Sequence, residues 1–258
     1  MTLAYDLTNI LYLDIETVSG YPTYEELPEV MRPHWAKKAK SALRRYNDEL
    51  TEEEVAEAYT DRAGIFAEFG KIVCISVGFL INSPEGYKMR VKSFASKDER
   101  ELLIGFGELI SAHYNNTRTH GMCGHNVREF DIPYICRRML INGVVLPDAL
   151  NIAGKKPWEC KHIVDTLELW KFGDYKNYTS LALLAAVFDI PTPKDDIDGS
   201  EVGRVYWEED DLERIAIYCE KDVVATVQLM LKLHLRDLLP ESAVSRIPVE
   251  PTPTTTDT

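Results

Sequence analysis

The sequence lacks several features that define other classes of protein. Its five cysteines are scattered and no two form a C-x-x-C pair, which argues against a disulfide framework or a cysteine zinc site. No apolar run approaches the roughly 20 residues that span a bilayer, and the amino-terminal stretch lacks the basic and apolar regions of a signal peptide. We therefore expect a soluble, cytoplasmic protein with no membrane partner.

Positive charge and glycine-rich loops are also scarce. The 258 residues include 29 Lys and Arg against 42 Asp and Glu, a net charge of −13, which argues against a protein held to DNA or to a membrane mainly by a basic surface. The absence of G-x-G-x-x-G and of a phosphate-loop motif disfavours a dinucleotide enzyme or an NTPase. With 45% hydrophobic residues, the chain can still build a sizeable core.

The residues that are present predict one α/β domain with a mixed sheet flanked by helices. We predict strands at 9–16, 71–81, 87–95, 119–124 and 162–169, and helices at 97–113, 131–141, 179–188 and 210–237. The domain spans 1–239 and includes a helical insertion at about 21–69, after the first strand. Thr51 with Glu54, and Ser96 with Glu99, have the spacing of capping boxes. Residues 240–258 are rich in Pro and Thr, and we expect a flexible tail.

Two carboxylates lie close together on the first predicted strand. In ILYLDIET, the alternation of a strand places Asp14 and Glu16 on one face. Two anions at the end of a buried strand repel each other and lose hydration, which raises a pKa or requires a cation. A metal ion would satisfy both. The alternative is that the strand ends at Asp14 in a solvated turn.

Two further segments place acidic side chains at positions suited to a site. In GHNVREFDIPYICRRML, Asp131 precedes a helix, and either a metal ligand or an N-cap fits that position. Asn126 is either a functional residue or a turn residue. In DLERIAIYCEKDVVATVQLMLKL, Tyr218 and Asp222 are four residues apart and share a helix face. The neighbouring Cys219 falls on the core side, and Glu220 and Lys221 are expected in solvent.

Taken together, these segments resemble a known family. The order D-x-E, N-x-x-x-F-D and Y-x-x-x-D resembles the 3′–5′ exonucleases of the DEDD class with tyrosine, and the closest likeness is to the proofreading domain of family B DNA polymerases and related stand-alone proteins. KIVCISVGF, VDTLELWKFGDYKNYTSL and PKDDIDGSEV extend the likeness from Leu11 to Leu235. No polymerase segment follows the last helix, so we expect an exonuclease without an attached polymerase.

The resemblance implies a ribonuclease H-like fold and a two-metal mechanism. Asp14, Glu16, Asp131 and Asp222 would hold two divalent cations, Mg²⁺ or Mn²⁺. By analogy with the family, Asp14 would touch both ions, Glu16 and Asp222 would complete the ion on the nucleophile side, and Asp131 would support the other through water. Tyr218 would orient the attacking water, since a phenol is a poor base near neutral pH.

The expected partner is the 3′ end of a nucleic acid, single-stranded DNA in particular. The candidate substrate-binding residues are Ile15, Asn126, Phe130, Lys176 and Tyr178. The aromatic and lysine residues at 170–178 suit base stacking and phosphate contact, but a loop packed by its own aromatics has the same composition. Phe130 is either a wedge beside the terminal base or a core residue. Asp165 is either an accessory acid of the site or a structural cap, and Lys37, Lys38, Lys40, Arg44 and Arg45 either touch a strand or form a solvated helix face.

Two other functions use the same features. A 3′–5′ exoribonuclease would use the same four carboxylates. Nothing in the sequence indicates whether a 2′-hydroxyl group is recognised, so RNA remains an alternative substrate. A catalytically silent module that binds single strands would keep the fold, although intact carboxylates argue against it. Cleavage of DNA and RNA oligomers under metal titration separates the three.

Overall fold

The computed structural model describes residues 5–174, 178–191 and 197–247 and shows a mixed sheet flanked by helices. Within these residues the strands are β1 (Ile10–Ser19), β2 (Gly70–Ser83), β3 (Gly86–Ala95), β4 (Gly121–Gly124), β5 (Ile163–Asp165) and β6 (Val244–Ile247). The α-helices are α1 (Arg32–Ala42), α2 (Glu52–Arg62), α3 (Glu99–Leu109), α4 (Asp131–Ile141), α5 (Thr166–Lys171), α6 (Leu181–Val187), α7 (Val202–Arg204) and α8 (Leu212–Leu233). None of the helices in the described part of the chain is both long and apolar enough to cross a membrane.

The sheet has the strand order β5-β4-β1-β2-β3-β6. β1 lies near its centre, antiparallel to β2 and parallel to β4, which in turn runs parallel to β5. Tyr12 of β1 pairs with Cys123 of β4, and Gly124 of β4 pairs with Asp165 of β5, so the middle of β1 around Asp14 lies beside the residues that follow β4 and β5. The acidic residues singled out in the sequence lie in β1, after β4 and at the end of β5.

β1 is buried on both faces, and its side chains alternate between two cores. Leu11, Leu13 and Ile15 pack in the core formed with α3 and α4. Ile10 and Tyr12 pack in the core that includes residues of α8. Asp14 and Glu16 continue this second set, so their carboxylates face α8.

The segment between β1 and β2 carries the two helices α1 and α2, which share a small core of their own. Trp35 is fully buried there, and its indole N–H donates to the Val55 carbonyl oxygen at 2.9 Å. Thr51 and Glu54 form the predicted capping box at the start of α2. The Gly20 N–H donates to the Phe69 carbonyl oxygen at 2.7 Å. This bond fastens the insertion to the end of β1.

Two local predictions were wrong because a nearby acidic side chain offered the backbone a better acceptor. The predicted strand at 162–169 stops at Asp165, whose carboxylate accepts the Leu167 N–H at 2.9 Å and so starts α5. The predicted helix at 97–113 is capped by Asp98 rather than by Ser96. Glu99 is not part of a capping box, since its carboxylate is buried against Arg138.

The boundary at residue 239 was also too early. Val244–Ile247 forms β6 and pairs in parallel with β3, whose outer edge would otherwise leave its peptide groups unpaired. Arg246 of β6 reaches Glu220 of α8, with 3.3 Å between Nε and Oε2. The sheet therefore includes part of the segment predicted as a tail, and the remainder, 248–258, lies outside the described residues.

Candidate active site

The two carboxylates of β1 occupy a crowded acidic environment. Glu16 is only 8% exposed. Burial, followed by the charges of Asp131, Glu16 and Asp222, raises the pKa of Asp14 well above its usual range. Burial and, next, the charge of Asp222 do the same to the pKa of Glu16. The strand therefore does not end in a solvated turn at Asp14, and a cation would relieve both charges.

Asp131 joins this pair from the start of α4. It lies inside the helix as its first residue, with Phe130 as the capping residue, and no side-chain cap bond forms. The N-cap interpretation is therefore wrong. Asp131 is 4% exposed, and burial raises its pKa to about 7, although hydrogen bonds from its own N–H and that of Ile15 oppose the rise. The bond from Ile15 places the carboxylate directly beside β1.

The fourth carboxylate comes from α8. Asp222 is half-buried, and its charge acts on both Asp14 and Glu16. Tyr218 lies one turn earlier on the same helix face, and it borders an open cleft of about 250 Å³. The cleft is also lined by Asp211, Glu213, Arg214, Ile217 and Lys221. Three segments that are distant in sequence thus bring four carboxylates together, with a tyrosine on the helix that carries one of them.

Cys219 is a member of the cluster that the sequence did not single out. Its Sγ lies 3.4 Å from the main-chain oxygen of Asp14 and 3.5 Å from Oδ2 of the same residue. One ligand atom each from Asp14, Glu16 and Cys219 lies within 4.8 Å of the other two. Burial raises the pKa of this thiol well above its usual range, so the thiol is a donor to Asp14 rather than a thiolate. In the sequence, only its position between Tyr218 and Asp222 indicated that Cys219 lies near the site.

Glu220 is also placed differently from the prediction. It is 5% exposed rather than solvated, and Ser93 Oγ donates to its carboxylate at 2.9 Å. Ser93 in turn bonds Ser76, with 2.8 Å between the hydroxyl oxygens. These contacts tie α8 to β2 and β3 directly beneath the helix turn that carries Tyr218 and Asp222. The sequence predicted that Glu220 is exposed because it is charged. Its carboxylate is buried instead, because Ser93 on the sheet offers it a hydrogen bond.

Asp165 organises the loop that leads to Asp131. Its carboxylate accepts the N–H groups of Asn126 and Arg128 at 2.9 and 3.0 Å, in addition to that of Leu167. The capping interpretation of Asp165 is confirmed. Asn126 has a φ of 63°, and its carbonyl oxygen accepts the Phe130 N–H at 3.0 Å. Asn126 is therefore a turn residue, and the amide side chain remains a candidate for substrate contact.

The remaining substrate-binding candidates differ in how far their side chains are exposed. The Ile15 side chain is 5% exposed and packs in the core, while its N–H bonds the Asp131 carboxylate, so a substrate contact predicted for Ile15 would involve its main chain. Phe130 is half-buried and packs against Tyr134, with ring centroids 5.5 Å apart. Tyr178 is 68% exposed, and the charge of Asp131 contributes, after burial, to raising its pKa. Lys176 lies outside the described residues.

His125, which the sequence analysis did not include, supports the segment that carries Tyr178. One ring nitrogen lies 2.9 Å from Thr166 Oγ1, and the other lies 2.8 Å from the Thr179 carbonyl oxygen. Burial lowers the pKa of His125, which favours the neutral ring. The ring centroid lies 6.5 Å from that of Tyr178. The histidine thus links β4 to the exposed tyrosine.

The donor set fits a hard divalent cation. Carboxylate oxygens are the ligands that Mg²⁺ and Mn²⁺ prefer, and the buried acidic groups of Asp14, Glu16 and Asp131 all have raised pKa values. A cation would favour their ionised forms and compensate for their burial. The sulfur of Cys219 is a soft donor, which suits such an ion less well than the carboxylate oxygens around it.

Comparison with known proteins places the chain in a family. Residues 65–245 match the family model described as "Predicted 3'-5' exonuclease related to the exonuclease domain of PolB". The match includes Asp131, Tyr218 and Asp222 but not β1 or helices α1 and α2. None of the curated proteins gives a significant match.

A solved structure shows the fold. The family B DNA polymerase of the archaeon Pyrobaculum calidifontis superposes with a TM-score of 0.52 at 16% identity, over 88% of this chain and 24% of the polymerase. The chain therefore spans about a quarter of that polymerase. The mixed sheet flanked by helices is the ribonuclease H-like fold. From the family match over most of its length, the chain belongs to the predicted 3′–5′ exonucleases related to the exonuclease domain of PolB.

Proposed function

We propose that the protein removes nucleotides one at a time from the 3′ end of single-stranded DNA and releases nucleoside 5′-monophosphates with the help of two divalent cations, Mg²⁺ or Mn²⁺. One observation carries the proposal. The carboxylates of Asp14, Glu16, Asp131 and Asp222 interact electrostatically across three segments of the chain. Such a concentration of buried anions costs stability and is typical of a site that binds cations.

The side chains have distinct roles in this proposal. When bound, two divalent cations would activate a water molecule near neutral pH and would neutralise charge on the phosphate. Asp14 would contact both, because it interacts with the other three carboxylates. Glu16 and Asp222, whose charges act directly on each other, would hold one cation, and Asp131 would support the second.

Tyr218 would hold the attacking water by a hydrogen bond. The residue lies one helical turn from Asp222 and faces an open cleft, so water can reach it. A fixed orientation of the nucleophile lowers the barrier without proton abstraction by the phenol. This assignment makes the protein a member of the tyrosine subclass of DEDD exonucleases.

A single strand suits this site better than a duplex. The scissile phosphate must reach the sheet edge where Asp14 and Asp131 meet, and unpairing a duplex end costs a few kcal/mol. Tyr178, which is exposed and close to Asp131, is placed to stack on an unpaired terminal base. In this proposal Phe130 and the Asn126 side chain, which belong to the turn before Asp131, also contact the terminal nucleotide.

The test compares labelled substrates of one sequence under controlled metal conditions. With Mg²⁺ or Mn²⁺, a 5′-labelled DNA strand should shorten by single nucleotides, while circular single strands persist and chelator stops the reaction. Asp14→Ala and Asp222→Ala should abolish cleavage, whereas Asp148→Ala, at an exposed position before β5, should retain the rate of the unmodified protein.

Each contrary result has a defined meaning. Cleavage of circular strands would show an endonuclease. Faster degradation of RNA than of DNA would show an exoribonuclease. Binding of strands without cleavage in either metal would show a silent binding module.

A further inference from the structure

The helical insertion carries the most concentrated positive charge of the protein. Between Met31 and Asn47 the sequence has six Lys and Arg residues and no Asp or Glu, although the whole chain has a net charge of −13. Four of these residues belong to α1, and the family match begins only at residue 65. The basic helix therefore lies outside the part of the chain that the family model matches.

Two of the six cations bond to oxygen atoms of neighbouring residues. Arg32 Nε donates to the Leu27 carbonyl oxygen at 2.9 Å, and Arg45 forms ion pairs with Asp48 and Glu54. In contrast, none of the ion pairs within the described residues includes Lys37, Lys38 or Lys40. The buried side of α1 is formed by Trp35 and Ala39.

Lys37 and Lys38 border an open cleft of about 630 Å³, and Lys40 lies on the same helix outside its lining. Its lining consists of Met31, His34, Lys37, Lys38, Ser41, Glu68 and Phe69. Lys38 Nζ lies 4.3 Å from the centroid of the Phe66 ring, which holds this cation at the wall. Glu68 is the single acidic residue in the lining. A cleft lined by two lysines and a single carboxylate suits the phosphate backbone of a strand.

The cleft also has a short path to the acidic cluster. Phe69 of its wall accepts the Gly20 N–H at the end of β1. Gly20 follows Glu16 by four residues, which corresponds to roughly 13 Å along a strand. Stacked nucleotides rise about 3.4 Å each, so a strand of roughly four nucleotides spans the distance from Glu16 to Gly20, and the lysines of α1 lie beyond the Phe69 wall. A 3′ end at the carboxylates and a phosphate backbone at α1 are therefore compatible.

We propose that α1 is a phosphate-binding surface, with Lys37, Lys38 and Lys40 contacting the backbone of a single strand at roughly four or more nucleotides from its 3′ end. The proposal rests on the proposed nuclease function and adds the element that holds the substrate. It also accounts for strand binding by a protein with a net charge of −13. Contacts with sugar and phosphate carry no sequence information, so binding is expected to be independent of base sequence.

The test measures binding in chelator, where no cleavage occurs. Fluorescence anisotropy would follow oligothymidylates of about 3 and about 12 nucleotides between about 50 and 200 mM salt. The variant Lys37→Gln/Lys38→Gln/Lys40→Gln removes three charges with little change in helix propensity. For the longer strand, the slope of log K against log salt should become shallower by about 2, and affinity should fall on the order of 10-fold. The shorter strand should be affected less.

Two control variants make the comparison specific. Lys37→Arg/Lys38→Arg/Lys40→Arg retains the charges and should keep the salt slope of the unmodified protein. Arg118→Gln/Lys155→Gln/Lys161→Gln removes three exposed charges before β4 and β5, at the sheet edge opposite the carboxylates, and should also keep that slope. Circular dichroism would verify that all three variants fold.

The outcomes separate this proposal from the proposed function. An unchanged salt slope in the Gln variant, or an equal loss in the remote control, would overturn the phosphate-binding role of α1 even if the protein cleaves DNA. Binding that depends on the three lysines, without cleavage in Mg²⁺ or Mn²⁺, would support the surface and overturn the nuclease proposal.

Discussion

The metal-free protein should lose stability as pH rises through neutrality, and Asp131 is the residue that tests this. Its pKa in the folded protein is raised to about 7, chiefly by burial, whereas an unfolded aspartate has a pKa near 3.9. Between these values the folded state holds a proton that the unfolded state has released. The contribution of Asp131 to the free energy of unfolding is therefore fully present below about pH 4 and is lost as the pH rises to about 7.

The size of the loss follows from the two pKa values. A difference of about 3 between them corresponds to roughly 4 kcal/mol of unfolding free energy. This is a large share of the roughly 5–15 kcal/mol that stabilises a typical domain. The pKa values of Asp14 and Glu16 are raised in the same direction and add to the loss.

Urea unfolding in chelator at pH 5 and pH 8 measures this effect. The unmodified protein should be less stable at pH 8, and Asp131→Asn should reduce the difference by a few kcal/mol because the amide does not ionise. Asp198→Asn is the control. Hydrogen bonds from Ser200 lower the pKa of Asp198, so its contribution is lost only in more acidic solution. Mg²⁺ should restore stability at pH 8 more than at pH 5.

Equal or greater stability of the metal-free protein at pH 8 would refute the reasoning. So would an identical pH dependence in Asp131→Asn. Either result would mean that the folded protein accommodates ionised carboxylates at this site without a cation.

Three further predictions concern single side chains. Tyr218→Phe should lower the single-turnover cleavage rate on the order of 10²-fold and leave metal binding by calorimetry unchanged; an unchanged rate would remove the hydroxyl from the mechanism. Arg138→Met should lower unfolding free energy by roughly 3–5 kcal/mol in urea, because it leaves the buried Glu99 carboxylate unpaired, whereas Arg137→Met, at an exposed position, should have little effect. Asp165→Ala should cost roughly 1–3 kcal/mol, since three N–H groups lose their acceptor, and unaltered melting would contradict this.

Local sequence pattern predicted the elements that carry the candidate site. The apolar alternation around Asp14 predicted β1, and the periodic apolar residues around Tyr218 predicted α8, because strands and helices bury one face with a period of their own. The capping box at Thr51 was likewise local, since both partners lie within one turn. The resemblance to the exonuclease family depended on the order of the three short motifs D-x-E, N-x-x-x-F-D and Y-x-x-x-D, which can be read from the sequence without a structure.

Tertiary structure decided which side chains are buried against one another. Cys219 and Glu220 looked like an ordinary core residue and an ordinary surface charge, but α8 lies against β1, β2 and β3 so that the thiol reaches Asp14 and the carboxylate reaches Ser93. The strand Val244–Ile247 exists because β3 offers an unpaired edge, which no local pattern can reveal.

The raised pKa values of the carboxylates also result from tertiary structure. Asp14, Asp131 and Asp222 are ordinary aspartates in sequence, and their mutual charges appear only when parallel strands and α8 bring distant segments to one sheet edge. The sequence by itself determined the family, the main elements and the candidate ligands, because these depend on residue type and spacing. The burial, the thiol contact and the position of the basic helix relative to the carboxylates were decided by the fold, because they depend on long-range packing.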